Sequence, residues 1–168
     1  LINKNIFQKE QLAAEACDVE INLLNEPIGK QDQYATAVGG LNLIEFQSSG
    51  NVKVTPLEIE SEIAHSLQQN LIMFYTGDQR SASNILAEQK KNTAQEDKFT
   101  FLKNMVSLVY DTKNAFESGN LADVGRILHE NWILKKQLAS GISNPSIDQA
   151  YDVAMKNGAL GGKLLGAG

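Results

Sequence analysis

Only one cysteine, Cys17, occurs in 168 residues, so an internal disulfide is excluded and a reducing compartment fits. Cys17 falls on a helix-like apolar stripe and reads as a buried thiol, not a reactive one. Positive charge is also in deficit: 15 Lys and Arg against 20 Asp and Glu leave a net charge of -5, with no basic run. A nucleic-acid surface, which holds phosphates mainly through Lys and Arg, is thereby disfavoured. No apolar run approaches the ~20 residues of a membrane span. The first residues, acidic at Glu10 and Glu15, lack a signal peptide's apolar segment. The expected location is the cytoplasm, with neither membrane nor nucleic acid as partner. Internal repeats and low-complexity segments are missing too. His129 beside Glu130 has no further residues at metal-ligand spacing, so the sequence offers no metal site. What remains, 42% hydrophobic and 21% charged, is the composition of a globular chain able to bury a core.

The apolar spacing organises that core. Lys9 to Leu24 predicts a helix with Leu12, Ala16, Val19 and Leu23 on one face, broken by Pro27 and Gly29. A short helix over Gln33 to Val38 ends at Gly39-Gly40, since glycine accepts the left-handed conformation that closes a helix. Leu41 to Phe46 and Val52 to Thr55 read as a hairpin around Ser48-Ser49-Gly50-Asn51, closed by Pro56. Leu57 to Gln69 is polar, with weak helical spacing, and reads as the crossing into a second domain. That domain opens with an apolar strand, Leu71 to Tyr75. Ser81 to Lys91 is helical, as is Phe99 to Phe116, where Leu102, Met105, Val109 and Phe116 share a stripe. Asn120 caps a helix whose buried line is Leu121, Val124, Leu128 and Trp132, widened by Ile127, Leu134 and Leu138. Ser143 or Asn144 caps a last helix with Pro145 in its first turn. Gly158 ends it, and Gly161 to Gly168 reads as a short strand entering a loop. The fold class is α+β.

The chemistry concentrates between Gly29 and Phe46. Lys30, Gln31, Asp32, Gln33 and Tyr34 bring an ammonium, a carboxylate, two amides and a phenol together between a helix and a Gly-Gly turn. This stretch resembles the Gly-x-x-Asp-Gln loop of the GHMP family of small-molecule kinases, in its galactokinase branch. Thr76 to Ser83, His129 to Lys136, Ser140 to Pro145 and Gly158 to Gly168 together resemble the D-glycero-D-manno-heptose 7-phosphate kinase branch. The resemblance implies the GHMP kinase fold, with residues 1–60 as the last part of an S5-like N-terminal domain. Residues 61–168 would be a ferredoxin-like C-terminal domain with added helices, cut within its glycine loop. It implies ATP-dependent phosphorylation of the anomeric hydroxyl of a heptose 7-phosphate to the 1,7-bisphosphate, supplying nucleotide-activated heptose for polysaccharide. ATP and Mg2+ enter as cofactors by this resemblance alone. The family's Pro-x-x-x-Gly-Leu-Gly-Ser-Ser motif, which wraps the nucleotide phosphates, is not in these residues, so they are expected to be inactive alone. Other readings stay open: an L-fucose or galactose kinase of the family, a non-catalytic sugar-sensing relative, or a module that forms homodimers through unpaired strands.

By resemblance Asp32 is the catalytic aspartate at the acceptor hydroxyl, although an aspartate here also suits a helix N-cap. The ammonium of Lys30, two residues earlier, favours a charged carboxylate and could meet a transferring phosphoryl group, or it is a solvated loop lysine. Asp32 then reads as an anionic acceptor that takes the hydroxyl proton late. Gln33 and Tyr34 are candidates to contact the sugar. Arg80, beginning a helix after a Thr-Gly-x-x turn, suits a substrate phosphate, a salt bridge to Asp32 or Asp78, or plain solvent. Ser81 and Ser83 would add hydroxyls or cap that helix. Trp132 and Lys136, at i and i+4, could take a pyranose ring and its phosphate, or belong to the core and its solvated flank. Gly161, Gly162, Gly166, Ala167 and Gly168 resemble the third motif of the family, whose backbone amides approach phosphate closely. The direction in which Lys163 points is left open.

Overall fold

The computed structural model describes residues 8–77 and 82–165. The chain divides into two compact units, Leu1–Leu57 and Glu58–Gly168.

In the first unit, α1 (Lys9–Cys17) runs on into a π-helical stretch, Asp18–Leu23. The helix packs, but not on the expected stripe. Leu12, Val19 and Leu23 are exposed, while Ala13 and Cys17, one turn apart, are buried. They join Tyr34 in a cluster edged by Ile21, Ala37, Ile44, Val52 and Val54. Small side chains at Ala13 and Cys17 let α1 approach its neighbours closely, and the wider π-helical turn changes which later residues share that face. Helix α2 (Gln31–Val38) ends at Gly39, φ +68, and the Lys9 ammonium bonds the carbonyl of Val38 at 2.7 Å, a favourable cation at a helix C-terminus. Strands β1 (Asn42–Phe46) and β2 (Val52–Pro56) form an antiparallel hairpin with Ile44 opposite Val54. Its turn closes by Gln47 N–H to Asn51 carbonyl at 2.9 Å, with Gly50 at φ +89.

In the second unit, Ser61–Asn70 is a helix, α3, where the sequence showed a polar crossing with weak helical spacing. Leu71 to Tyr75, expected as a strand, pairs with no strand among the described residues, and all five side chains are exposed, by 59 to 86%. Gly161 to Leu165 likewise pairs with no strand among the described residues. A strand exists only through its neighbour's hydrogen bonds, and the described sheet has two strands, β1 and β2. Helices α4 (Ala82–Asn92), α5 (Glu96–Glu117), α6 (Leu121–Lys136) and α7 (Pro145–Lys156) make up the rest. Asn120 and Asn144 cap α6 and α7, each accepting a backbone N–H three residues on, from Asp123 and Ile147. The core is Trp132, Leu138, Ala139, Ile142 and Ile147, packed on by Phe101, Leu102, Met105 and Tyr151. Among the described residues no helix is long and apolar enough to cross a membrane.

Candidate active site

In the first unit, the backbone places the polar cluster at the start of α2. Lys30 is the N-cap residue, with no side-chain capping bond, and the helix begins at Gln31. Asp32 therefore lies inside the first turn, which removes the N-cap alternative. Its carboxylate is exposed, hydrogen-bonds no described residue, and sits where the helix dipole favours negative charge. The ammonium of Lys30 is equally exposed. The next two residues turn inward. Gln33 is 9% exposed and its Oε1 is buried without a hydrogen-bond partner among the described residues. Tyr34 packs edge-on against Phe46, ring centroids 5.9 Å apart, and burial pushes its phenol above the ordinary range. Burial likewise raises the Cys17 thiol, with Lys30 opposing the shift. Two exposed charged groups thus stand over a buried amide and phenol. The outer pair faces solvent, and the inner pair is packed into the unit.

In the second unit, α6 and α7 meet along matched stripes. His129, Trp132 and Lys136 on α6 face Asp148 and Tyr151 on α7. The Lys136 ammonium is 3.2 Å from Asp148 Oδ1, which also accepts the Ser143 hydroxyl at 2.9 Å. The Ser143 hydroxyl, helped by Lys136, holds the Asp148 carboxyl below its usual range against slight desolvation. Lys136 is therefore engaged within the protein and lies 5.7 Å from the Trp132 ring centroid. Trp132 is 1% exposed, so it is core and cannot offer its face to a sugar. His129 Nδ1 and the Tyr151 hydroxyl are 2.7 Å apart, with the two rings stacked. Burial raises the Tyr151 phenol, and the backbone amide of Gly162 opposes that shift. Sequence reasoning missed Tyr151, Asp148 and Ser143 as partners. The signal was present in the complementary spacing of 129/132/136 and 148/151, but pairing the stripes needs the helix crossing.

Gly161 lies against α6. A Cβ there would run into the carbonyl oxygen of Gly125 and come within 2.7 Å of the His129 backbone nitrogen. At Gly162 the same substitution meets only ordinary contact, 3.7 Å to the Tyr151 ring. Lys163 is exposed. Arg80, Ser81, Gly166, Ala167 and Gly168, and the side chain of Ser83, lie outside the described residues. The described His, Cys, Asp and Glu side chains form no group able to hold a metal ion. Mg2+ in phosphoryl-transfer sites is held largely by water and substrate phosphates with one or two carboxylates, and no described residue is assigned to it.

Residues 112–168 match the family described as GHMP kinases C terminal. The chain is 30% identical to D-glycero-alpha-D-manno-heptose 7-phosphate kinase of Campylobacter jejuni, over 94% of this chain and 47% of that protein. It is 29% identical to L-fucokinase/L-fucose-1-P guanylyltransferase of Bacteroides fragilis, over 87% of this chain and 16% of the other. Of solved structures, a D-glycero-D-manno-heptose 1-phosphate kinase from Bacteriodes thetaiotaomicron aligns with TM-score 0.68 and 29% identity, covering 97% of this chain and 44% of that one. Mevalonate kinase of L. major, at 20% identity and TM-score 0.71 over 97% of this chain and 48% of its own, adds a likeness of fold. The chain spans about half the length of the heptose kinase relatives it matches. The α+β fold expected from the sequence is the fold of these neighbours.

Proposed function

We propose that this chain, whose residues 112–168 match the C-terminal family of the GHMP kinases, is part of an ATP-dependent sugar kinase acting on the anomeric hydroxyl of D-glycero-D-manno-heptose 7-phosphate. The observation that carries the chemistry is the exposed carboxylate of Asp32, held in the first turn of α2 with no described partner and with Lys30 exposed beside it. Phosphoryl transfer to an alcohol needs an acceptor for the hydroxyl proton and cations for the phosphate. Asp32 orients the sugar hydroxyl and takes its proton as the new O–P bond forms. The bond from the γ-phosphorus to ADP breaks, and ADP leaves with that electron pair. Lys30 faces the negative charge on the transferring group. Gln33 and Tyr34 anchor the turn from beneath, which fixes where the carboxylate points. The domain roles expected for residues 1–60 and 61–168 and a cytoplasmic setting belong to this same reading, whereas a homodimer belongs to the competing reading of an interaction module.

The choice of sugar rests on the heptose 7-phosphate kinase relative, matched over 94% of this chain. One observation favours the second reading, a kinase for an unphosphorylated sugar of the fucose type: Lys136, a candidate for the 7-phosphate, already pairs with Asp148. A coupled kinase assay on the complete protein with heptose 7-phosphate, the same heptose without phosphate, and L-fucose separates the two. Asp32→Asn is expected to lower turnover by about 10²-fold or more, the scale of general-base catalysis, while changing sugar binding by less than about tenfold. Full activity in that variant removes Asp32 from catalysis.

A further inference from the structure

The close approach of two glycines points to an anchoring role that the phosphate reading of the glycine segment does not include. Gly125 on α6 and Gly161 meet backbone to backbone. A Cβ on Gly125 would come within 2.6 Å of the Leu160 Cβ, and one on Gly161 would run into the Gly125 carbonyl. Neither glycine has a positive φ, so the requirement is for space and not for an unusual backbone conformation. Immediately beyond, the Tyr151 ring lies on Gly162, and its hydroxyl is bonded to His129, one helical turn from Gly125 on α6. Helix α6 thus touches the 160–162 stretch twice, directly through Gly125 and indirectly through His129 and Tyr151.

We propose that Gly125, His129 and Tyr151 are positioning residues that lock the start of the glycine-rich segment onto α6, so that Gly161 serves packing. The proposal rests on the kinase reading only for its consequence, the placement of the segment for a ligand. Its content is structural. The Tyr151 hydroxyl bridges α7 to α6 while its ring covers Gly162. Loss of the hydroxyl leaves the ring in place and frees the bridge, whereas a methyl group at residue 125 or 161 pushes the segment off the helix.

The test is amide hydrogen exchange over residues 160–165 in the complete protein, with substrate kinetics alongside. Tyr151→Phe is expected to speed exchange there by roughly fivefold, the loss of one neutral hydrogen bond. Gly125→Ala and Gly161→Ala are expected to do so more strongly, and Gly162→Ala to leave exchange near wild type. His129→Leu should resemble Tyr151→Phe, while His129→Asn, which keeps an acceptor close to the Nδ1 position, should restore protection. If the alanine variants do not fold, the Tyr151 and His129 variants carry the decision. In the kinetics, positioning predicts a raised KM for ATP or sugar with kcat little changed, where a purely structural loss would lower the active fraction and hence kcat. Unchanged exchange in Tyr151→Phe, or faster exchange in Gly162→Ala with wild-type protection in Gly161→Ala, overturns the lock. Faster exchange with wild-type kinetics for both substrates supports the lock and counts against a ligand role for the segment.

Discussion

Lys30 and Asp32 stand exposed at the start of α2 with no described side-chain partner, whereas Lys136 and Asp148 bond each other across α6 and α7, with Ser143 completing the carboxylate's shell. Both pairs combine an ammonium with a carboxylate at the edge of a hydrophobic cluster. The difference is local chain length. A single residue, Gln31, separates Lys30 from Asp32 at a helix start, and the helix carries the second side chain off along its own face. Lys136 and Asp148 come from two helices that pack together, so tertiary contact aligns them. A pair already satisfied by the fold contributes to packing, and charges left unsatisfied are those a ligand can meet.

Trp132→Ala should produce the largest change in the satisfied cluster, a loss of about 3–5 kcal/mol of stability in urea unfolding, the usual cost of removing a buried aromatic. KM for sugar should change little in the folded fraction. A selective rise in KM with stability intact would make Trp132 a sugar platform after all.

Next in size, Arg80→Ala is expected to raise the KM for heptose 7-phosphate roughly ten- to a hundred-fold more than for the unphosphorylated heptose, the loss of a charge-assisted hydrogen bond of ~1.5–3 kcal/mol. Lys136→Ala should separate the two sugars by less than about threefold, because Asp148 already neutralises its charge. Equal, large phosphate-selective losses in both variants would mean that Lys136 leaves Asp148 to meet the substrate, erasing the contrast between the clusters. Steady-state kinetics with the two sugars decides it.

The smallest effect concerns pH. The Asp148 carboxyl is held below its unfolded value of about 3.9, so the folded state binds the proton less readily. Its contribution is therefore complete above roughly pH 4 and fades as pH falls through the lower, folded-state value. The carboxylate is partly exposed, which keeps that contribution within about 1 kcal/mol. Asp148→Asn should be slightly less stable than wild type at pH 7, and the gap should shrink as denaturation is repeated toward pH 3. A gap that widens on acidification would reverse the sign and remove the ion pair as its cause.

The helices, their caps and the hairpin were legible because their causes are local. Asn120 and Asn144 cap α6 and α7 from the positions just before them, Pro145 opens α7, and Asn42 to Phe46 faces Val52 to Pro56 across a glycine-containing turn. Trp132 as core could also be read from the 3.6-residue line on α6. Other assignments turned on contacts that no local pattern contains. Which face of α1 is buried depended on the small side chains of Ala13 and Cys17 fitting under Tyr34, so a stripe of larger residues was the wrong guide. Leu71 to Tyr75 has the composition of a strand, but composition supplies no neighbour to hydrogen-bond it. In the candidate site, sequence alone determined that Lys30, Asp32, Gln33 and Tyr34 would lie together, because a few residues of chain bind them. Only the tertiary structure decided that the first two face outward and the last two inward, that Lys136 is tied to Asp148, and that Gly161 is set against Gly125. Burial and pairing over long separations are fixed by which surfaces pack, and no residue carries that information by itself.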